Sequence, residues 1–151
     1  MISLFSHNAL KTFESCPRRF KFRFIENIEL PKRVPANIYL GQVVHRTLAR
    51  LYAMVQDGKV PTLAYLIDFY NKTWEVPERE QIHVDRDYMT MDDYIANGRS
   101  MIEKYYAKYT PFDSAKTIGI ERKLDGFLPG SSYRLRGIND RLTRRADGTI
   151  E

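Results

Sequence analysis

The sequence predicts a mixed α/β fold, of the α+β type, in which N-terminal helices precede a sheet. Apolar residues recur at helical spacing over residues 1–110, whereas residues 115–151 alternate with a period of two. Helices followed by strands are typical of α+β domains, or of α/β domains whose later part is absent. Because 151 residues suit one domain, we expect residues 1–151 to form a single domain.

Local signals place the helices. Ser6 is a predicted N-cap, and Pro17 suits the first turn of a second helix that continues through RRFKFRFI. The clearest helix covers 41–58 and ends at Gly58, with an apolar stripe of Val44, Leu48, Leu51 and Val55. Further helices are predicted over 62–74 and after the capping box of Thr90 and Asp93. The segments ELPKRVPANIY and VPEREQIHVDRDY are predicted to be irregular.

The C-terminal part predicts an antiparallel meander of three strands, broken at LPGSS and ADG. Ile118, Ile120 and Leu124 are expected on one face and Glu121 on the other. Asp147-Gly148 predicts a type I′ turn, and Glu151 then falls about three residues into the third strand, short of the usual five or six. An incomplete sheet would expose a strand edge, so we expect a homodimer through that edge or compensation by helix packing.

Composition narrows the classes of function. Lys and Arg outnumber Asp and Glu by 24 to 19, a net charge of +5, which favours nucleic acid as a partner. The single cysteine excludes an internal disulfide and suits a reducing compartment. No run approaches the about 20 apolar residues of a membrane helix, and the N-terminus lacks a signal-peptide pattern. We therefore expect a cytoplasmic protein without a membrane partner.

Basic residues cluster at three places, and two of the clusters are candidates for DNA contacts. Basic side chains alternate with phenylalanines in RRFKFR, a pattern that can hold phosphates and stack bases, or can be a solvated face above core aromatics. Arg141, beside Asp140, is a candidate for steering the scissile phosphate. The full set of candidate DNA-binding residues is Arg18, Arg19, Lys21, Arg23, Arg141, Arg144 and Arg145.

Three further residues are candidates for catalysis. His45 lies at the edge of the predicted apolar stripe, so it should point inward or along the seam between helix and sheet, as a core histidine or as a metal ligand. Asp140 is unusual in a strand, and Gly137 three residues earlier suggests a bulge or a close approach. Glu121 could join Asp140 in a carboxylate cluster, or face solvent beside a basic residue.

Together these motifs resemble the RecB-type branch of the PD-(D/E)XK nuclease superfamily. The resemblance rests on SxxxLKTFESCPRRFKFRFI, then GQVVHRTL, an isolated strand glutamate and LRGINDRL, in this order over nearly the whole chain. It implies a mixed sheet flanked by helices and a divalent metal, Mg²⁺ or Mn²⁺, bound by His45 and Asp140. It also implies an acidic-x-lysine pair on the next strand, which would fall just past Glu151. The chain is thus predicted to be the front part of a nuclease core, inactive alone.

The resemblance also bears on Cys16 and on partners. In several relatives a cysteine in this CPR setting ligates a [4Fe–4S] cluster together with three C-terminal cysteines, so Cys16 is either such a ligand in a longer protein or a small residue at a helix start. A helicase partner or domain and a role in DNA repair or recombination are also implied. Two other classes stay open: a non-catalytic, nuclease-like module that binds nucleic acid, and a domain whose basic patches meet an acidic protein.

Overall fold

The computed structural model describes residues 4–29, 33–75, 81–84 and 86–151. It confirms a mixed α/β fold with a three-stranded sheet in the order β1-β5-β4 and a pair of short strands, β2 and β3. The elements are β1 (Leu4–Ser6), α1 (His7–Ser15), α2 (Pro17–Phe20), a π-helix (Lys21–Ile25), β2 (Val34–Pro35), α3 (Ala36–Gln56), α4 (Leu63–Thr73), β3 (Ile82–His83), α5 (Met91–Tyr109), β4 (Lys116–Phe127) and β5 (Arg134–Arg144).

The chain divides into two compact units, and β4 and β5 each contribute to both. The first unit consists of the described residues of Met1–Pro31 with Glu121–Asn139, and the second consists of those of Lys32–Ile120 with Asp140–Glu151. That residues 1–151 form a single domain stays a prediction. None of the helices in the described ranges combines the length and the apolar character that a membrane span requires.

In the first unit, β1 leads directly into α1. Leu4–Ser6 pairs in parallel with residues 134–136 of β5, and the predicted N-cap is confirmed because the Ser6 side chain accepts a hydrogen bond from the Ala9 N–H at 3.2 Å. Phe20 is buried and its ring packs against Phe13 and Phe24, with centroids 5.4 and 5.2 Å apart. The second helix begins at Pro17 as predicted and continues as the π-helix.

In the second unit, α3, α4 and α5 pack around a common core. Large side chains from all three helices are almost fully buried, including Leu51, Leu66, Tyr70 and Ile102. The capping box predicted from sequence is confirmed, since Thr90 and Asp93 form it at the start of α5, and the structure adds a cap at Thr62, which accepts from the Tyr65 N–H. Gly58 has a φ of +75° just past the end of α3, a conformation that favours glycine.

Two predicted irregular segments contain ordered structure. The helix expected from residue 41 begins at Ala36, and Val34–Pro35 pairs in parallel with Ile82–His83. Pro35 occupies the N-cap of α3 with extended torsions, which suits a proline at the junction of strand and helix. Residues 30–32, 76–80 and 85 of the two segments lie outside the described residues.

The sheet differs from the predicted three-stranded meander in its third strand. The β4–β5 hairpin is as predicted, since strands joined by so short a loop pair antiparallel. The third strand is instead β1, while residues 149–151 make one bridge, between Arg144 and Ile150. Pairing between distant segments of a chain has no local sequence signal, so this parallel strand could not be anticipated.

The final hairpin forms, but the predicted type I′ turn is wrong. Among the described non-glycine residues only Asn27, Phe112 and Glu121 have positive φ, so Asp147 does not, whereas Gly148 has a φ of +87°. Gly148 N–H donates to the Arg145 carbonyl at 3.0 Å, and Arg145 N–H donates to the Thr149 carbonyl at 2.9 Å. This is a three-residue loop with glycine in the left-handed position.

The two glycines within helices of the second unit predict opposite effects on stability. A Cβ at Gly98 would overlap the Tyr70 hydroxyl and Leu40, whereas a Cβ at Gly41 meets no described atom within 4 Å. Gly98→Ala should therefore lower the free energy of unfolding by about 1–3 kcal/mol, the usual cost of overpacking. Gly41→Ala should raise it by up to about 1 kcal/mol, because alanine favours helix. Urea unfolding of both variants measures this, and equal effects would contradict it.

Candidate metal-binding pair and nucleic-acid interface

Helix α3 has one face buried in the helical core and another that carries His45. Val43, Thr47 and Leu51 are fully buried in the helical core, and they recur at the spacing of one helix face. The stripe is therefore centred one residue earlier than predicted, and Val44, Leu48 and Val55 are only partly buried against the core. His45 lies two residues from Val43, or roughly 200° round the helix. It therefore faces away from the helical core.

His45 and Asp140 meet in the second unit. The Nδ1 atom of His45 lies 3.3 Å from the Oδ2 atom of Asp140, which belongs to β5. The two side chains are 56% and 63% exposed, so the expectation that His45 points inward is wrong, whereas its expected place at the seam between helix and sheet is confirmed. The pair joins a long, packed helix to a strand, and it faces solvent.

The geometry of this pair suits two ligands of one cation. Two donor atoms bound about 2.1 Å from an octahedral ion at right angles lie about 3.0 Å apart, close to the observed separation. A carboxylate suits Mg²⁺ and Mn²⁺, and an imidazole makes Mn²⁺ the more suitable of the two. Exposure leaves room for water on the remaining positions. Within the described ranges, no group of three or more His, Cys, Asp or Glu side chains is arranged to hold a metal.

Two other sequence predictions concern Glu121 and Gly137, which belong to the first unit. Glu121 belongs to the first unit, where its φ of +50° marks a local irregularity of β4 that interrupts the alternation of the strand, and Leu124 beyond it is 51% exposed. Its place in a carboxylate cluster stays a prediction. At Gly137 a Cβ would meet none of the described atoms within 4 Å, so the close approach expected there is wrong.

A seam of polar contacts joins α3 to β4 and β5 within the second unit. We define the α3 seam as His45, Tyr52 and Gln56 on the helix with Thr117, Asp140 and Arg141 on the strands. The Arg141 guanidinium carbon lies 3.5 Å from the centroid of the Tyr52 ring, and Arg141 Nε donates to the Thr117 hydroxyl at 3.0 Å. Gln56 Nε2 donates to the Thr117 carbonyl at 3.1 Å.

Tyr52 is buried at the centre of this seam. Its hydroxyl lies 2.7 Å from that of Tyr105 on α5, and the whole residue is 4% exposed. Burial raises the pKa of the Tyr52 phenol, and the hydrogen bond with Tyr105 raises it further, so the ring stays neutral under Arg141. Sequence alone did not identify Tyr52 as part of the candidate site. Its position seven residues after His45, and thus on the same helix face, was a signal that could have done so.

The basic candidates in the first unit lie beside aromatic rings. The guanidinium groups of Arg18 and Arg23 lie 5.5 Å from the ring centroids of Phe22 and Phe24, respectively. Lys21 pairs with Glu26 at 3.1 Å, so part of its charge is already balanced. Phe22 is 38% exposed, which leaves its ring available to a base. Arg19 follows Arg18 in the last turn of α2.

The first unit also contains a charged cluster on β4 and β5 that no sequence motif predicted. Asp125 accepts hydrogen bonds from Arg134 and Arg136, and these arginines hold the pKa of its carboxyl below the usual range. The alternation of Arg134 and Arg136 along β5 was a signal that could have identified this basic face. In the second unit, Arg144 and Arg145 lie exposed at the hairpin end, and Arg145 pairs with Glu151.

Cys16 is an exposed free thiol at the start of α2. Its sulfur accepts a hydrogen bond from the Arg19 N–H at 3.4 Å, so it caps the helix. It is the single cysteine of the 151 residues, and a [4Fe–4S] cluster would therefore need ligands from outside them.

Comparison with known proteins agrees with the motifs. The family model of the PD-(D/E)XK nuclease superfamily matches residues 4–151, which is almost the whole sequence. No curated protein matches the chain.

Proposed function

The chain belongs to the PD-(D/E)XK nuclease superfamily, and from this premise we propose that it supplies metal-binding and DNA-binding residues of a metal-dependent deoxyribonuclease. The observation that carries the proposal is the 3.3 Å separation of His45 Nδ1 and Asp140 Oδ2, on the two motifs GxxxH and GxxD. Mg²⁺ or Mn²⁺ is the cation we propose for this pair, with Glu121 as a candidate third carboxylate.

Different residues of the chain would bind the cation, bind the DNA backbone and stack on a base. His45 and Asp140 hold the cation at an exposed place that a phosphodiester can reach. When bound, the ion polarises a phosphoryl oxygen and lowers the pKa of its water. The basic residues Arg18, Arg19, Lys21, Arg23, Arg144 and Arg145 attract the DNA backbone, and the exposed Phe22 ring offers a surface on which a base can stack.

A nuclease-like module that binds DNA without cutting it is the second candidate. Two observations favour it. Within the described residues two potential ligands, rather than three or more, lie together. The sequence from Asp140 to Glu151 contains no lysine that could orient the attacking water. Binding would then rest on the same basic residues.

The motif order supports a narrower proposal. CPRRF, GxxxH and GxxDR in sequence favour the RecB-type branch, and hence DNA repair or recombination beside a helicase partner or domain. Cys16 is then a candidate ligand of a [4Fe–4S] cluster in a longer protein. A cytoplasmic location is proposed from the single cysteine, and a homodimer through a sheet edge stays a prediction.

The proposed metal pair predicts site-specific binding of Mn²⁺. Low concentrations of Mn²⁺ should broaden the NMR signals of His45 and Asp140 first. His45→Ala and Asp140→Asn should each raise the concentration needed by about tenfold or more, since even groups behind a ligand change metal affinity by that factor. His7→Ala, at an exposed histidine of α1, is the matched control. Equal broadening in all four proteins would exclude the pair as ligands.

The basic surface of the first unit predicts salt-dependent binding of single-stranded DNA. Replacing both Arg18 and Arg23 by Gln should reduce the slope of log affinity against log salt by about 1.4, or about 0.7 for each lost phosphate contact. The control pair Lys72→Gln and Arg99→Gln removes the same charge from α4 and α5, where each residue pairs with a carboxylate. Fluorescence anisotropy at several salt concentrations measures both. A slope reduced equally by the two pairs would contradict a local interface.

Residues 141–151 contain no lysine that could act on the attacking water. We therefore expect these 151 residues alone not to cleave linear DNA with Mg²⁺ or Mn²⁺. The water would be neither oriented nor deprotonated efficiently. Incubation with end-labelled DNA, with and without metal, measures this directly. Metal-dependent cleavage that His45→Ala abolishes would refute the prediction.

A further inference from the structure

We propose that Arg141 is a positioning residue, which fixes β5 on α3 and so sets the place of Asp140, rather than a contact to the scissile phosphate. The inference rests on the proposed function in one respect, namely that Asp140 is a metal ligand. This positioning role takes the place of the phosphate contact that sequence alone suggested for Arg141. It depends on the contacts of Arg141 with Tyr52 and Thr117.

The contacts of Arg141 commit its side chain to the α3 seam. Its guanidinium lies over the Tyr52 ring at 3.5 Å from the centroid, which is much closer than the 5.1–5.9 Å of the other cation–ring pairs described. Arg141 Nε donates to the hydroxyl of Thr117, which is 7% exposed. A planar guanidinium that stacks on a ring and donates in its own plane uses both of its binding modes.

The partners of Arg141 are themselves held in place. The Tyr52 hydroxyl bonds with that of Tyr105, so the ring is fixed between α3 and α5. Thr117 receives a second hydrogen bond on its carbonyl from Gln56, one turn after Tyr52 on α3. Arg141 therefore links its strand to two helices and to β4.

Asp140 depends on this link because it is the neighbouring residue. Consecutive Cα atoms are about 3.8 Å apart, so any shift of Arg141 relative to α3 moves Asp140 relative to His45. A binding constellation must be held within about 0.5 Å of its productive geometry. The exposed His45–Asp140 contact is too weak to fix the strand by itself, because exposed ion pairs contribute little.

The test separates geometry from charge. Arg141→Lys keeps the positive charge but loses the planar stack and the Nε–Thr117 bond, whereas Thr117→Val keeps the shape of that side chain and removes the acceptor. The control is Arg50→Lys: Arg50 of α3 also lies over a tyrosine, Tyr65 of α4, but at 5.9 Å and on the surface. Thermal unfolding shows whether each variant folds, and Thr117→Val serves if Arg141→Lys does not.

Two NMR readouts follow the position of Asp140. In metal-free protein, the nuclear Overhauser effect between the His45 ring and the Asp140 β-protons should weaken in Arg141→Lys and in Thr117→Val, and stay unchanged in Arg50→Lys. The Mn²⁺ concentration that broadens the His45 signal should rise by about tenfold in the first two variants. A merely structural role would lower the melting temperature without moving either readout.

The outcomes distinguish this inference from the proposed function. An unchanged Overhauser effect and unchanged Mn²⁺ response in Arg141→Lys and Thr117→Val would overturn the positioning role, and would favour a role of the charge in holding phosphate. If the native chain shows no site-specific Mn²⁺ broadening, the proposed metal pair fails. The Overhauser effect in metal-free protein then still decides whether Arg141 positions Asp140.

Discussion

The packing of α3 is the constraint on which the second unit and its candidate site depend. One face is fully buried, at Val43, Thr47 and Leu51, and the polar member of that face satisfies its hydroxyl by donating to the Val43 carbonyl at 2.9 Å. A helix held in this way along its length cannot rotate without exposing apolar surface and opening cavities. Its opposite face is therefore a fixed platform, from which His45 and Tyr52 project at constant spacing.

The magnitudes of the interactions show which contacts determine the geometry. Burying one large apolar side chain stabilises by about 1.5–3 kcal/mol, and a desolvated cation–π contact by about 2 kcal/mol. An exposed polar contact such as that of His45 with Asp140 contributes no more than the about 0–1 kcal/mol of an exposed ion pair. The core and the Arg141–Tyr52 stack thus place the pair, and the pair does not place them. The exposed atoms of His45 and Asp140 are thus held close together without being fixed to each other.

Sequence alone predicted those features whose signals are local. The caps at Ser6 and Thr90 are set by side chains a few residues from the backbone groups they satisfy, and both are present. The parallel strand β1 depends instead on a pairing with β5 across about 130 residues of chain, for which no local rule exists. The phase of α3 was mistaken because Thr47 is polar, yet its hydroxyl is satisfied within the helix.

The candidate site divides in the same way. His45 and Asp140 carry motif signals, and their proximity followed from the motifs. The contacts of Arg141 did not follow from the motifs, because they depend on the position of the Tyr52 ring.

Two arginines and two glycines show why such contacts cannot be predicted from sequence alone. Arg50 lies over Tyr65 of α4 and Arg141 lies over Tyr52 of α3, but the first is a surface contact and the second fills the centre of the seam. At Gly98 the Tyr70 hydroxyl and Leu40 leave no room for a Cβ, whereas Gly41, one turn before His45, adjoins open space. The same residue type is therefore restricted by a close neighbour at one position and unrestricted at another. The role of each of these residues depends on the side chains that the fold places beside it. In the second unit, those side chains are positioned by the packing of α3.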